Sequence, residues 1–176
     1  MTGERVGIGR VYVKLNGRLD YDRWVEALRR GESYVSDGAT HLMDFARRDD
    51  GTFTVKAAAR KDGAPEVEVE LIVNGHPVEI LKIKADGTLR DLTFAAPKLE
   101  RSGWVAARIF PGAHSNPITV RVDNKPVRVK SSAAWCLASV DQCWREKQKT
   151  YALGEMEQAK ADYEHARQFY RRLLEP

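Results

Sequence analysis

The sequence predicts an α+β fold: an antiparallel, immunoglobulin-like β-sandwich, preceded by a short strand-helix-strand segment and followed by a C-terminal helical hairpin. Short alternating runs separated by turn dipeptides fill the middle of the 176-residue chain, which is typical of a sandwich. Strand and helix patterns alternate before that region, and a helical period follows it. We therefore expect three parts: residues 1–39, the strand-helix-strand segment; 40–129, the sandwich; and 130–176, a hairpin packed on the sandwich.

The opening segment has the signals of a strand, a helix and a second strand. Residues 10–14 alternate like a strand, and Asp20 suits the N-cap of the helix that follows. Gly31 suits the position that ends this helix, residues 33–36 return to a strand, and Asp37-Gly38 signals a turn. The pattern is more typical of an α/β layer than of the start of an all-β fold. The apolar positions of the helix share one face and are Tyr21, Trp24, Val25 and Leu28.

The middle region predicts a sheet with one solvated side. In residues 66–73 the alternation is strict, with Val67, Val69 and Leu71 on one face and glutamates on the other. Turn signals such as Asn74-Gly75 separate the strands. The predicted strands are residues 52–60, 66–73, 78–84, 89–94, 103–110 and 118–122.

The last region shows two apolar stripes at helical spacing, separated by Leu153-Gly154. Two such helices with a short connection form an antiparallel hairpin. Because two helices alone cannot bury both stripes, we expect this hairpin to lie against the sandwich or against another molecule.

Composition bears on partners and location. The net charge is +4, but Lys and Arg are spread evenly along the chain, unlike the basic stripe that nucleic-acid binding requires. No run approaches the roughly 20 apolar residues of a membrane span, and none near the start forms a signal peptide. We expect a soluble protein that binds neither nucleic acid nor membrane, with its compartment undetermined.

Two polar clusters are candidate sites. His114, Ser115 and Asn116 lie in a loop between two prolines, and such stiffened loops often present polar groups to a site. Alternatively, Ser115 and Asn116 hydrogen-bond nearby backbone to shape the turn. Asp37 and His41 form the second cluster.

The chemistry of these clusters depends on whether they meet. A small hydrolase using Asp37, His41 and His114 requires these side chains to converge within about 3 Å. No two histidines have a metal-ligand spacing, and no nucleophile or phosphate-binding motif occurs. We therefore assign no catalytic residue and no metal ligand.

Four segments together carry a resemblance to a known family. They are residues 19–38, 103–110, 113–118 and 134–137. In order and spacing they resemble the C-terminal part of CehA/McbA-like metallohydrolases of the polymerase and histidinol phosphatase (PHP) superfamily, from about residue 9 onward. The resemblance implies that residues 9–38 close an α/β barrel and that residues 40–176 form an accessory sandwich with a helical tail.

The resemblance also implies where the metal belongs. In that family, histidines and aspartates upstream of the matched region bind a divalent metal (Zn, Mn or Fe), so no ligand carries over and no cofactor is expected here. It implies a noncatalytic accessory C-terminal domain of a metal-dependent phosphoesterase or carbamate hydrolase, inactive when isolated. Its expected partner is the PHP barrel or another copy of this chain. The alternative is a free-standing sandwich module that binds carbohydrate or protein, which exposed coplanar aromatic rings on one sheet face would favour.

Overall fold

The computed structural model describes residues 7–175, and the chain divides into two compact units, residues 1–125 and 126–176. The described part of the first unit holds ten strands and the helix α1 (Tyr21–Arg29). The strands are β1 (Arg10–Val13), β2 (Ser33–Ser36), β3 (Thr40–Arg47), β4 (Phe53–Ala59), β5 (Glu66–Val73), β6 (His76–Lys84), β7 (Arg90–Phe94), β8 (Gly103–Ile109), β9 (Ala113–Ser115) and β10 (Ile118–Val120).

The strands form two antiparallel sheets around one core. The large sheet has the order β1-β2-β9-β8-β5-β6, with β10 also paired to β8, and the small sheet has the order β3-β4-β7. Val69 and Leu71 of the large sheet share the core with Phe53 and Phe94 of the small one, and all four are fully buried. Each such side chain contributes about 1.5–3 kcal/mol of hydrophobic free energy. The predicted α+β class, with an antiparallel sandwich, is confirmed.

The opening segment contributes the edge of the large sheet. Asp20 caps α1 by accepting a hydrogen bond from the Arg23 N–H at 3.0 Å, and Gly31 follows the helix with φ +77°. The strands on either side of α1 pair directly and antiparallel, with Tyr12 opposite Tyr34. The prediction that this segment is part of an α/β layer is therefore wrong. The predicted boundary after residue 39 falls inside the first compact unit.

Two strands were not predicted because their sequence signals are weak. Alternation in β3 is broken by a bulge between Met43 and Ala46, where Asp44 has φ 54°. The strand β9 lies within the polar loop between the two prolines and has only three residues, paired to both β2 and β8. The predicted loop is therefore part of the large sheet.

The second unit is a helical hairpin, as predicted. Its helices are α2 (Lys130–Lys147) and α3 (Met156–Leu174), with a short 3₁₀ turn at Gln148–Thr150. They run antiparallel, since Asp141 pairs with Arg167 at 2.7 Å while Trp144 packs on Tyr163 with ring centroids 5.0 Å apart. Within residues 7–175, no helix is both long enough and apolar enough to cross a membrane.

Replacing Gly112 with alanine should destabilise the first unit. A Cβ at this position would lie 2.5 Å from Thr40 Oγ1 and 2.6 Å from Asp37 Oδ2. Relieving such an overlap displaces the Thr40 and Asp37 side chains, which hydrogen bonds hold in the turn, and costs about 1–3 kcal/mol. Urea unfolding should show this loss for Gly112→Ala. Gly9→Ala, which meets no atom within 4 Å, is the matched control. Equal stability of the two variants would refute the close approach.

Candidate functional site

Asp37 organises the turn by which the chain leaves the large sheet for the small one. Its Oδ1 accepts hydrogen bonds from the N–H of Ala39 at 2.8 Å, and from the N–H and Oγ1 of Thr40 at 2.9 Å each. Its own N–H donates to the Gly112 carbonyl at 2.8 Å. Burial raises the pKa of Asp37, but these hydrogen bonds outweigh it and hold the pKa below its usual range. Asp37 is thus an ionised carboxylate that is committed to the turn.

Ser115 and Asn116 hold neighbouring backbone segments together. Ser115 Oγ accepts from the Ala107 N–H at 2.9 Å and donates to the Asn116 carbonyl at 3.0 Å. Asn116 Nδ2 donates to the Gly31 carbonyl at 3.0 Å and to Ser33 Oγ at 2.6 Å. These bonds connect β9 to β8 and to the segment between α1 and β2. Both polar side chains therefore have structural partners.

His114 lies on the outer face of the large sheet. It stands opposite Val35, whereas its strand neighbours Ala113 and Ser115 are buried on the other face. Its Nδ1 lies 2.6 Å from the Ser115 carbonyl oxygen. A carbonyl only accepts, so this Nδ1 carries a proton that it donates.

His41 has aromatic neighbours instead. Its Nδ1 lies 2.9 Å from the Tyr34 hydroxyl. The rings of Tyr12 and Tyr34 are stacked with centroids 5.1 Å apart, and the imidazole meets both edge-on, at 5.2 and 6.1 Å. We call Tyr12, Tyr34 and His41 the aromatic–histidine cluster. Burial, and to a smaller extent the nearby Tyr12, raises the pKa of Tyr34 to about 12. This phenol therefore stays protonated at neutral pH.

The structure does not bring the three predicted acid-base candidates together. Asp37 bonds to its own turn, His41 to Tyr34 and His114 to Ser115, and within residues 7–175 no hydrogen bond joins any two of the three. The convergence that a small hydrolase requires is absent from this part of the chain. In the same range no three His, Cys, Asp or Glu side chains are grouped so that they could hold a metal ion.

Sequence reasoning found His41 but missed the residues around it. Tyr12 and Tyr34 were recognised only as strand residues, because the 21 positions between them hide their direct pairing in the sheet. Arg10 was missed in the same way: its guanidinium lies over Gly38, and its Nη1 is 3.5 Å from the Tyr12 hydroxyl. Alternation along β1 places Arg10 and Tyr12 on one face, which is the signal that could have linked them.

A cavity of about 410 Å³ lies beside α1. Its charged groups are largely paired, with Arg30 joined to Glu26 and Glu32, and Lys14 joined to Asp44 at 2.5 Å. It therefore presents no concentrated charge of one sign. The lining residues are Lys14, Leu15, Asn16, Asp22, Arg23, Glu26, Ala27, Arg30 and Glu32.

The tryptophans do not form a platform on a sheet face. Trp135 is 72% exposed but belongs to α2, whereas Trp24, Trp104 and Trp144 are half-buried. The coplanar exposed rings that would favour a carbohydrate-binding module do not occur on the described strands.

No family model, curated protein or solved structure matches this chain. The relationship to CehA/McbA-like metallohydrolases therefore stays a prediction from the four sequence segments.

Neutralising Asp37 should remove a pH-dependent part of the stability. The pKa of Asp37 is lower in the folded protein than in the unfolded chain, so its contribution is present above about pH 4 and is lost as the pH falls through the lowered pKa. Asp37→Asn should lower the free energy of unfolding at pH 7, and the difference from the wild type should shrink toward pH 2. Urea unfolding across this range measures it. Asp62→Asn, in another surface turn, is the control, and a difference independent of pH would contradict the assignment.

Proposed function

We propose that this chain is a noncatalytic accessory domain that packs against the metal-binding barrel of a PHP-type hydrolase. The four-segment resemblance supports the family, and the commitment of Asp37, Ser115 and Asn116 to the fold supports a noncatalytic role. The metal, and the water that it activates, would belong to the barrel.

One observation carries the proposal: part of the apolar stripe of α1 is left uncovered by the described chain, although Trp24 and Val25 of the same stripe are half-buried. Tyr21 is 78% exposed and Leu28 37%, and Leu19, just before the N-cap, is 74% exposed. Only Ala27 of this helix is fully buried. We call Leu19, Tyr21 and Leu28 the α1 surface. Tyr21 and Leu28 share one face of the helix, and exposed apolar groups on one face are typical of an interaction surface.

The position of the α1 surface supports a barrel as its occupant. The resemblance assigns residues 9–38 to the end of the barrel, but their strands pair within the large sheet, so we place the barrel against this segment from outside. The neighbour of α1, β1, is the edge strand of the large sheet, and on the outer face of that edge Val11 and Val35 form an apolar pair, each about half exposed. A barrel wall that contacts both α1 and this edge would cover apolar area that a solitary domain leaves in water.

Association with a barrel tests the interface. The partner is a PHP barrel domain from the same organism, expressed without its own C-terminal region and titrated with this chain by calorimetry. We expect saturable binding that Tyr21→Ser with Leu28→Ser weakens at least about tenfold, because central apolar contacts carry much of an interface's energy. Val78→Ser, at a site 53% exposed on β6, should leave the affinity unchanged. Absence of binding, or equal loss in both variants, would refute the interface.

Assays of the chain alone test the noncatalytic role. The purified chain, incubated with Zn²⁺, Mn²⁺ or Fe²⁺, should retain no stoichiometric metal after desalting and should hydrolyse neither phosphoesters nor carbamates. Metal content and product release measure these outcomes. Turnover that requires a retained metal ion, and that His41→Gln or His114→Gln abolishes, would overturn this part of the proposal.

A further inference from the structure

We propose that Arg10, Tyr12 and His41 form a binding site for a small oxyanion beside the edge strand of the large sheet. The inference goes beyond the accessory role and does not depend on it. What carries it is the proximity of three different hydrogen-bond donors, since Tyr12 contacts both Arg10 and His41 in a partly exposed cluster.

The tautomer of His41 supplies the first donor. A protonated Tyr34 hydroxyl, 2.9 Å from Nδ1, donates to that nitrogen, which places the remaining proton of a neutral imidazole on Nε2. Within residues 7–175, His41 Nε2 has no hydrogen-bond partner. Every fully buried side-chain nitrogen or oxygen in this range does have one. Nε2 is therefore not fully buried, which leaves its proton available to a ligand.

Arg10 and Tyr12 supply the other donors. Arg10 is exposed, and its guanidinium is held in place by Nε, which donates to the Gly7 carbonyl at 2.7 Å. Nη1 donates to the Tyr12 hydroxyl at 3.5 Å, whereas Nη2 has no partner among the described residues and the phenol keeps its own proton to donate. Among the described residues no carboxylate lies within 4.0 Å of Arg10, whereas the next cation on this face of β1, Lys14, is neutralised by Asp44.

The ionised carboxylate of Asp37 lies in the neighbouring turn, but it is not within ion-pair distance of Arg10, and its Oδ1 accepts three hydrogen bonds from Ala39 and Thr40. The stacked rings of Tyr12 and Tyr34 hold the phenol and the imidazole in fixed directions, so little side-chain entropy is lost on binding. A guanidinium fork beside neutral donors matches the oxygens of a carboxylate, sulfate or phosphate group.

The test follows the imidazole signals of the whole chain by NMR while sulfate replaces chloride at constant ionic strength. Sulfate is the first probe because its charge does not change near neutral pH. We expect a saturable shift of the His41 resonance, assigned with His41→Gln, while those of His76, His114 and His165 stay in place. A parallel titration with acetate distinguishes a tetrahedral dianion from a carboxylate, and saturable binding of either supports the site.

Variants separate this site from general charge attraction. Arg10→Gln should weaken binding at least about tenfold, since it removes the charged donor. Arg121→Gln removes an exposed arginine elsewhere and should have no effect. Tyr12→Phe keeps the ring stack and should weaken binding about threefold, which decides the matter if Arg10→Gln does not fold. A His41 resonance unmoved by both anions, or equal affinities in Arg10→Gln and Arg121→Gln, would overturn the proposal.

Discussion

The close approach of Gly112 to the turn at residues 37–40 is the constraint on which the sandwich depends. At this point the chain leaves the large sheet and enters the small one, and both sheets must meet there without a gap. The carbonyl of Gly112 accepts from the Asp37 N–H, and there is no room for a side chain on the glycine. Ser36 Oγ adds a bond to the Thr40 carbonyl across the same turn. The turn therefore fixes where β3 begins and which of its residues face the core.

The polar residues near this turn fall into two groups that differ in their hydrogen-bond partners. Asp37, Ser115 and Asn116 form hydrogen bonds to neighbouring backbone and side chains and hold these segments together. Arg10 and His41 each keep a nitrogen that has no hydrogen-bond partner among the described residues. Polar character alone does not distinguish the two groups. The hydrogen-bond partner of each polar atom distinguishes structural residues from residues that are available to a ligand.

The sequence predicted the helices and strands better than it predicted which of them lie next to one another. The alternation of β5 and the cap of α1 are local signals, and both were correct. β9 was predicted as a loop because its three residues lie between prolines and pair only with distant strands. The partners of His41 were missed for the same reason, since Tyr12 lies 29 positions away and only the pairing of β1 with β2 brings it close. The exposure of the α1 stripe could not be predicted either, because periodicity identifies an apolar face without showing what covers it.

The central claim is that the exposed stripe of α1 belongs to an interface with a hydrolase barrel. Hydrogen–deuterium exchange of this chain, alone and with a barrel domain, tests it at the residues concerned. We expect slower exchange over residues 21–29 and in β1 when the barrel is present, with exchange in β4 and β5 unchanged. Equally fast exchange of α1 and β1 with and without a saturating concentration of the barrel would refute the interface.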